Sequence, residues 1–459
     1  MLQQEIFRVD DPEWIRDLAH AHPWATLISN TEHGGLVVSH LPVLVERASP
    51  DDPDGTLTLL GHLARADALE HELGAHDVAV VLQGPHGYLS PVWYEETPHV
   101  PTWNFTVLHV HGRPEILAPD ATYDVLSATV DHSELTAVPA RVTDQWVREA
   151  GAAAAARGVT GIVDFEYADN ITDWTRRMSE EGAGAFPLRV AASIWLPQLE
   201  GAIAHGLRTG RPLPVPSGLL EVGPFKLLTD GSLNTRTALC HDPYPDRDPE
   251  APGARGLEEV SPGELVSLLR RASGHGITPA VHAIGDRANE MALDAFETVR
   301  CRGSVEHGQL LAAKDVPRFA ELGVTVSVQP THAVDDRDVA QRHWAGRTHR
   351  AYAFADLLDA GADLALGSDA PVAPLDPWLT IASAVERTAD ERPPFHPEQR
   401  IPVAAALTAS SRGRRLVRVG DDADLVVTDT DPLTTDTATL RTMPVHATML
   451  AGAWTHRTS

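Results

Sequence analysis

Cysteine is nearly absent: Cys240 and Cys301 are the only two in 459 residues. Neither sits in a CxxC spacing, which excludes a disulfide framework and a thiolate zinc site and fits a reducing cytoplasm. Positive charge is also scarce. With 37 Lys+Arg against 64 Asp+Glu the formal charge is −27, so the summed field repels phosphate backbones and anionic lipid, and direct nucleic-acid binding is disfavoured. No run approaches the roughly 18 apolar residues of a membrane span. The start MLQQEIFRVDDPEW puts acids where a secretion signal needs apolar residues, so the chain reads as neither exported nor membrane-spanning, and a cytoplasmic location is expected. No strand-like run leads into a GxGxxG turn, which leaves a doubly wound nucleotide-binding sheet without support.

What is present is material for a core. Hydrophobic residues make up 43% and charged residues 22%, a globular composition, and the length suits two or three domains. From residue 24 to about 117 the apolar runs are short and β-branched: WATLIS, LVVSHLPVLVE, TLTLLGHLA, DVAVVLQG and FTVLHVHGRPEIL. Pro, Gly and Asp separate them, as in a small β-barrel. Between about 118 and 157 the pattern turns helical, with Gly158 as its stop. A domain junction is expected near 132 to 145.

Beyond it, strand-like and helix-like segments alternate. GVTGIVDFE, PFKLLTDG, ITPAVHAIG, GSVEHGQ, VTVSVQPTH and DLALGSDAP read as strands; ELVSLLRRASGHG, DRANEMALDAFETV, DVPRFAELG and AYAFADLLDAG read as helices. Such alternation means βαβ units and a parallel sheet. Lys226, His282, His307 and Asp369 fall at strand ends, and in a (β/α)8 barrel the C-terminal strand ends form the active-site face. Imidazoles and a carboxylate suit zinc or another divalent metal. Taken singly, each residue also has a structural reading. A lone His is commonly a hydrogen-bonded core residue, Lys226 in PFKLL could form a salt bridge, and Asp369 could cap the next helix. A buried lysine is costly as a cation, and carbamylation by CO2 would turn it into an anionic oxygen ligand. DADLVVTDTDP and VHATMLAGAWTHR return to short strands, a small β appendage.

The stretches GPFKLLTDGSLNTRTA, VHAIGDRANEMALDAFE, VEHGQLL, VTVSVQPTHA and LALGSDAPVAPLDPW resemble the YtcJ-like branch of the amidohydrolase superfamily, also called amidohydrolase family 3. The resemblance covers about residues 150 to 456. It implies a distorted (β/α)8 barrel with a small β-sandwich that hydrolyses carbon–nitrogen bonds with one or two metals. By the same matching Lys226 is a carbamylated ligand, His282 and His307 are ligands, Asp369 is ligand and general base, and Arg236 and His332 lie near the substrate. The His-x-His strand with which such hydrolases begin has no counterpart ahead of GVTGIVDFE. His109 and His111 form an HxH, but they sit within the strand pattern of the first domain and are not taken as the missing pair.

HPWATLIS, VVSHLPVLVE, GHLARADAL, LQGPHGYLSPVWY and VPTWNFTVLHVHGR resemble the PaiB-type FMN-binding split barrel over about residues 1 to 130, without that family's C-terminal third. The resemblance implies a homodimer with flavin at its interface and an association with negative transcriptional regulation. Arg65, with His62 beside it, suits the flavin phosphate, and Trp93, Trp103 and Asn104 suit the ring. The alternative reading of these aromatics is a small barrel core.

The expected architecture is multidomain. A split β-barrel over 1–135 is followed by an incomplete (β/α)8 barrel over 145–415 and a β segment over 416–459. The leading functional expectation is a hydrolase of non-peptide amide or formamide-type bonds, acting on a small molecule with at most about one zinc-like metal per chain, on a homodimer formed through the split barrel. One rival is an FMN-binding regulatory or sensory protein with a silent barrel. Another is a recombined product performing neither task.

Overall fold

The computed structural model describes residues 9, 11–32, 35–45, 57–63, 65–89, 102–117, 140–179, 186–245 and 247–458. They divide after Pro139 into two units. In the first, strands β1 (Trp24–Thr31), β2 (Gly35–Val45), β3 (Leu59–Gly61), β4 (Val78–Leu89) and β5 (Thr102–Gly112) form one sheet in the order β3-β2-β1-β4-β5. Every pairing is antiparallel. Alternation along β1 turns Ala25 and Leu27 inward onto Leu41, Val43, Val78 and Leu82. Gly35, at φ +72°, takes the left-handed backbone that the β1–β2 turn requires. The result is an antiparallel half-barrel, as the split-barrel pattern predicts.

The second unit is built on seven parallel strands: β6 (Gly161–Asp164), β7 (Arg189–Ile194), β8 (Leu220–Leu228), β9 (Pro279–Ala283), β10 (Ser304–His307), β11 (Thr325–Val328) and β12 (Leu364–Leu366). Sequence order is spatial order, β12 to β6. Helices between successive strands cover the outer face, and local chemistry sets them. Ser261 caps the helix Pro262–Ser273 by accepting from the Glu264 amide, with Pro at the first turn. Along Asp286–Val299, Ala288, Met291, Ala292, Ala295 and Phe296 repeat at helical spacing and are buried. Among the described residues no pairing joins β6 to β12, so the sheet curls without closing. That is the incomplete (β/α)8 barrel expected. Strand β7 is the addition: RVAASI lacks the polar terminus that marks its neighbours and reads as an ordinary apolar run.

Strands β13 (Leu425–Thr428), β14 (Val445–Leu450) and β15 (Ala453–Arg457) make the antiparallel appendage. Its hairpin turns on Ala451 at φ 49° and Gly452 at φ 83°, the positive-φ pair of a type I′ turn. The alanine-rich helix Ala140–Ala156 packs here: Thr448 Oγ1 donates to Ala155 O at 2.7 Å. Gly158, at φ +87°, ends that approach, and a Cβ on it would lie 2.9 Å from Val426.

Candidate active site

Register decides which strand residues face the barrel interior. Leu228, His282 and Glu306 are lateral partners, and Ser327 follows Glu306. Lys226, two residues before Leu228, shares their face. His307 should then point outward. It does not, because its φ of 80° breaks the alternation, and its ring lies 4.5 Å from that of His282. Asp369, in the loop after β12, has φ 58°, a left-handed conformation that Asp tolerates better than most residues. Strained backbone at two adjoining polar residues is a pattern that clusters at functional sites.

His332 enters from the short helix Pro330–Asp335 that starts directly after β11. Its ring stacks on that of His307 at 6.1 Å, and its Nε2 is 3.8 Å from Asp369 Oδ2. Ligand atoms of His307, His332 and Asp369 all lie within 4.8 Å of one another, the one such cluster among the described residues. Nδ1 of His307 and Nε2 of His332 are buried without a hydrogen-bond partner. A buried polar atom left so costs about 1–3 kcal/mol, which a bound cation would recover. Burial holds His282 at about 3, with Lys226 adding to the effect. Burial likewise keeps His307 well below the usual histidine range, reinforced by His282, Lys226 and His332. Both rings are therefore neutral at neutral pH, the form that offers a lone pair to a metal.

Lys226 is buried, with Nζ 4.6 Å from the centre of the Phe165 ring. It makes no hydrogen bond or ion pair among the described residues, so the salt-bridge reading does not hold. Burial lowers its pKa against the pull of Glu306 and Asp369. Asp369 caps no helix; the N-cap of Pro377–Glu386 is Asp376. Arg236 is half-buried in the loop after β8 at φ 57°.

Two residues escape sequence reasoning. Asp230 is fully buried and accepts from the amides of Leu239 (2.8 Å), Ile284 (3.0 Å) and Gly285 (2.8 Å). Its Oδ1 is 3.5 Å from His282 Nε2, which donates to Gly231 O at 3.4 Å. Burial raises Asp230 to about 7. Glu306, equally interior, accepts from Ser304 Oγ at 2.5 Å. In TDG the first reads as a turn residue, and in VEHG the second stands in the shadow of His307.

In the first unit, His62 is half-buried with an unpartnered Nδ1. Arg65 opens the helix Arg65–Glu70, and Trp103 and Asn104 lie on β5 opposite Tyr88 and Gly87. The side chains of Arg65, Trp103 and Asn104, and the whole of Trp93, lie outside the described residues. His109 and His111 are exposed on β5, ring centres 6.4 Å apart. No helix among the described residues is long and apolar enough to cross a membrane.

This curled parallel sheet, with histidines and a carboxylate gathered at its C-terminal strand ends, is the architecture of the amidohydrolase family, and the chain belongs to that family through residues 126–456. Residues 1–168 match the profile of an FMN-binding domain. Among individual relatives, the Protein LONG AFTER FAR-RED 3 of Arabidopsis thaliana is 30% identical over 398 residues, covering 80% of this chain and 61% of its own. The N-substituted formamide deformylase of Arthrobacter pascens is 27% identical over 325 residues, covering 64% of this chain and 57% of its own. A crystal structure of a metal-dependent hydrolase from Pyrococcus horikoshii superposes with a TM-score of 0.56 at 27% identity, over 63% of this chain and 59% of that one. The chain thus spans about three fifths of the length of these relatives.

Proposed function

We propose that the second unit hydrolyses a carbon–nitrogen bond in a small non-peptide amide or formamide, with a divalent metal held by His307, His332 and Asp369. The observation that carries this reading is the cluster itself: one ligand atom from each of His307, His332 and Asp369 within 4.8 Å of the others, on two buried histidines that each also carry an unpartnered ring nitrogen. Two nitrogens and a carboxylate oxygen suit zinc and leave a coordination position for water. His282 and Lys226 flank the cluster and are the further candidate ligands, the lysine as a carbamate formed on its unprotonated amine. When bound, the metal supplies Lewis-acid polarisation of the substrate carbonyl and acidifies water.

The chain's own residues do the rest. Asp369, with its side chain 41% exposed, is open to a substrate, so its carboxylate takes a proton from the attacking water and returns it to the leaving nitrogen. The sequence resemblance implies Arg236 and His332 near the substrate; Arg236 stands on the loop after β8. Relationship to a formamide deformylase supports the bond class. The test is release of amine and formate or carboxylate from a panel of N-substituted formamides and amides, with zinc and with a chelator. Metal-dependent turnover is expected, and a panel left intact in both conditions contradicts the proposal.

A second reading applies to the first unit. The FMN-binding profile and the orphaned Nδ1 of His62 favour FMN held by His62, Arg65, Trp93, Trp103 and Asn104 on a homodimer, with the flavin phosphate on Arg65.

A further inference from the structure

The metal cluster occupies the C-terminal ends of the barrel strands. At the opposite end, where β9 begins at Pro279 and β10 at Ser304, lies an open cavity of about 420 Å³ lined by Arg270, Ser273, Thr278, Arg300, Cys301 and Arg302. Arg208 reaches the same place: a Cβ on Gly276, which also lines the cavity, would lie 3.3–3.4 Å from Cγ, Cδ and Nη1 of Arg208. No carboxylate lines the cavity. None of the four guanidiniums has a hydrogen bond or acid partner among the described residues. Arginines elsewhere in this unit are commonly paired, as Arg189 with Asp424 at 2.6 Å, Arg271 with Glu200 at 2.6 Å and Arg287 with Glu258 at 2.9 Å. A chain of net charge −27 has acids in abundance, yet here it leaves cations unopposed.

The ordinary explanation is that the arginines neutralise helix ends. Helices Pro262–Ser273 and Asp286–Val299 do finish here. Each end carries about −0.5 charge, so two ends offset roughly one guanidinium of four. Their last carbonyls are also already engaged: Arg270 O accepts from Gly274 N at 3.0 Å, Ala272 O from Ile277 N at 3.1 Å, and Phe296 O from Arg300 N at 2.7 Å. About three positive charges are left over, around a space of the size that small-molecule sites have.

We propose that this cavity binds a small molecule carrying at least two anionic groups, phosphate or carboxylate, gripped by the forked donors of Arg208, Arg270, Arg300 and Arg302. The site is separate from the metal cluster and does not depend on the reaction proposed for it.

The two cysteines provide a local reporter. Cys240 is fully buried, whereas Cys301 is partly exposed and lines the cavity. In the native, chelator-treated full chain, a thiol reagent therefore reads Cys301. Pyrophosphate and citrate are the two arms, each compared with chloride at matched ionic strength. Saturable slowing of Cys301 modification is expected from one arm or both, with Kd below about 1 mM by calorimetry. The pattern between the arms distinguishes phosphate from carboxylate recognition. Arg300→Glu/Arg302→Glu should weaken binding at least about tenfold, the loss of one strong charge-assisted contact. Arg392→Glu, remote and exposed, should leave it unchanged. Should the charge reversal impair folding, Arg300→Gln/Arg302→Gln serves the same purpose. No saturation by either anion beyond the chloride effect, or binding unaltered in a folded double variant, would overturn the proposal.

Discussion

Replacing Asp230 by asparagine changes one atom at the point where two loops and a candidate ligand meet. The carboxylate accepts Leu239 and Gly285 amides on Oδ2 and the Ile284 amide on Oδ1. Asparagine has a single acceptor oxygen. Placed at the Oδ2 position it keeps two of these bonds, but its NH2 then faces the Ile284 amide and His282 Nε2. One buried N–H is orphaned, at a cost of about 1–3 kcal/mol. The full penalty of losing a buried charge does not apply, because burial raises Asp230 to about 7 and its neutral form is already populated near neutral pH. The larger effect should fall on the metal. Loss of a carboxylate that orients a ligating histidine typically costs about 10–100-fold in affinity. Competition against a chromophoric zinc chelator measures that, alongside a thermal melt. If Asp230 acts through His282, Asp230→Asn should weaken zinc little further in a His282→Ala background. Zinc affinity within about twofold of wild type in Asp230→Asn, or additive losses in the double variant, would show that Asp230 does not act on the metal through His282.

Four further outcomes are expected. Asp369→Asn should lower kcat by about 10²–10⁴-fold with its melting curve preserved; His332→Ala should reduce metal occupancy as well as rate, whereas a pure rise in KM would return His332 to the substrate side. FMN added to the purified chain should be quenched in fluorescence and bind to a dimer in sedimentation, more weakly in Arg65→Ala than in Tyr88→Phe, and an unquenched titration would contradict the flavin reading. Hydrogen bonds from Arg176, then Arg177, outweigh burial and hold Asp144 far below the usual carboxylate range. That stabilisation is complete above the unfolded value of about 4 and is lost as pH falls further. Asp144→Asn should therefore lose about 1–3 kcal/mol at pH 7, with the gap to wild type in denaturant midpoints closing on acidification.

Sequence and structure agree most where chemistry has a period. Strands with polar ends, such as PFKLL and PAVHA, announce both the parallel sheet and Lys226 and His282, because alternation with burial is written in residue type. Strand β7 carries no such ending and is visible only in the pairing. The association of His332 with His307 and Asp369 also had to be seen. It depends on positive φ at His307 and Asp369, and a β-strand pattern alone would turn the His307 ring outward. Asp230 is hidden for a related reason: its partners are backbone amides of residues 239, 284 and 285, which carry no side-chain signature. Among the described residues no strand pairs with the outer edge of β6 or of β12, in keeping with the absence of a recognisable His-x-His strand pattern ahead of GVTGIVDFE.

His307, His332 and Asp369 are proposed to hold one catalytic divalent metal. Elemental analysis of the purified chain against His307→Ala and Asp369→Asn, each after equilibration with limiting zinc, tests it directly. At most about one zinc per wild-type chain is expected, held by a site built on these three ligands, with its loss from both folded variants. Two tightly held metals per chain, or a metal content unmoved by either substitution, would contradict it.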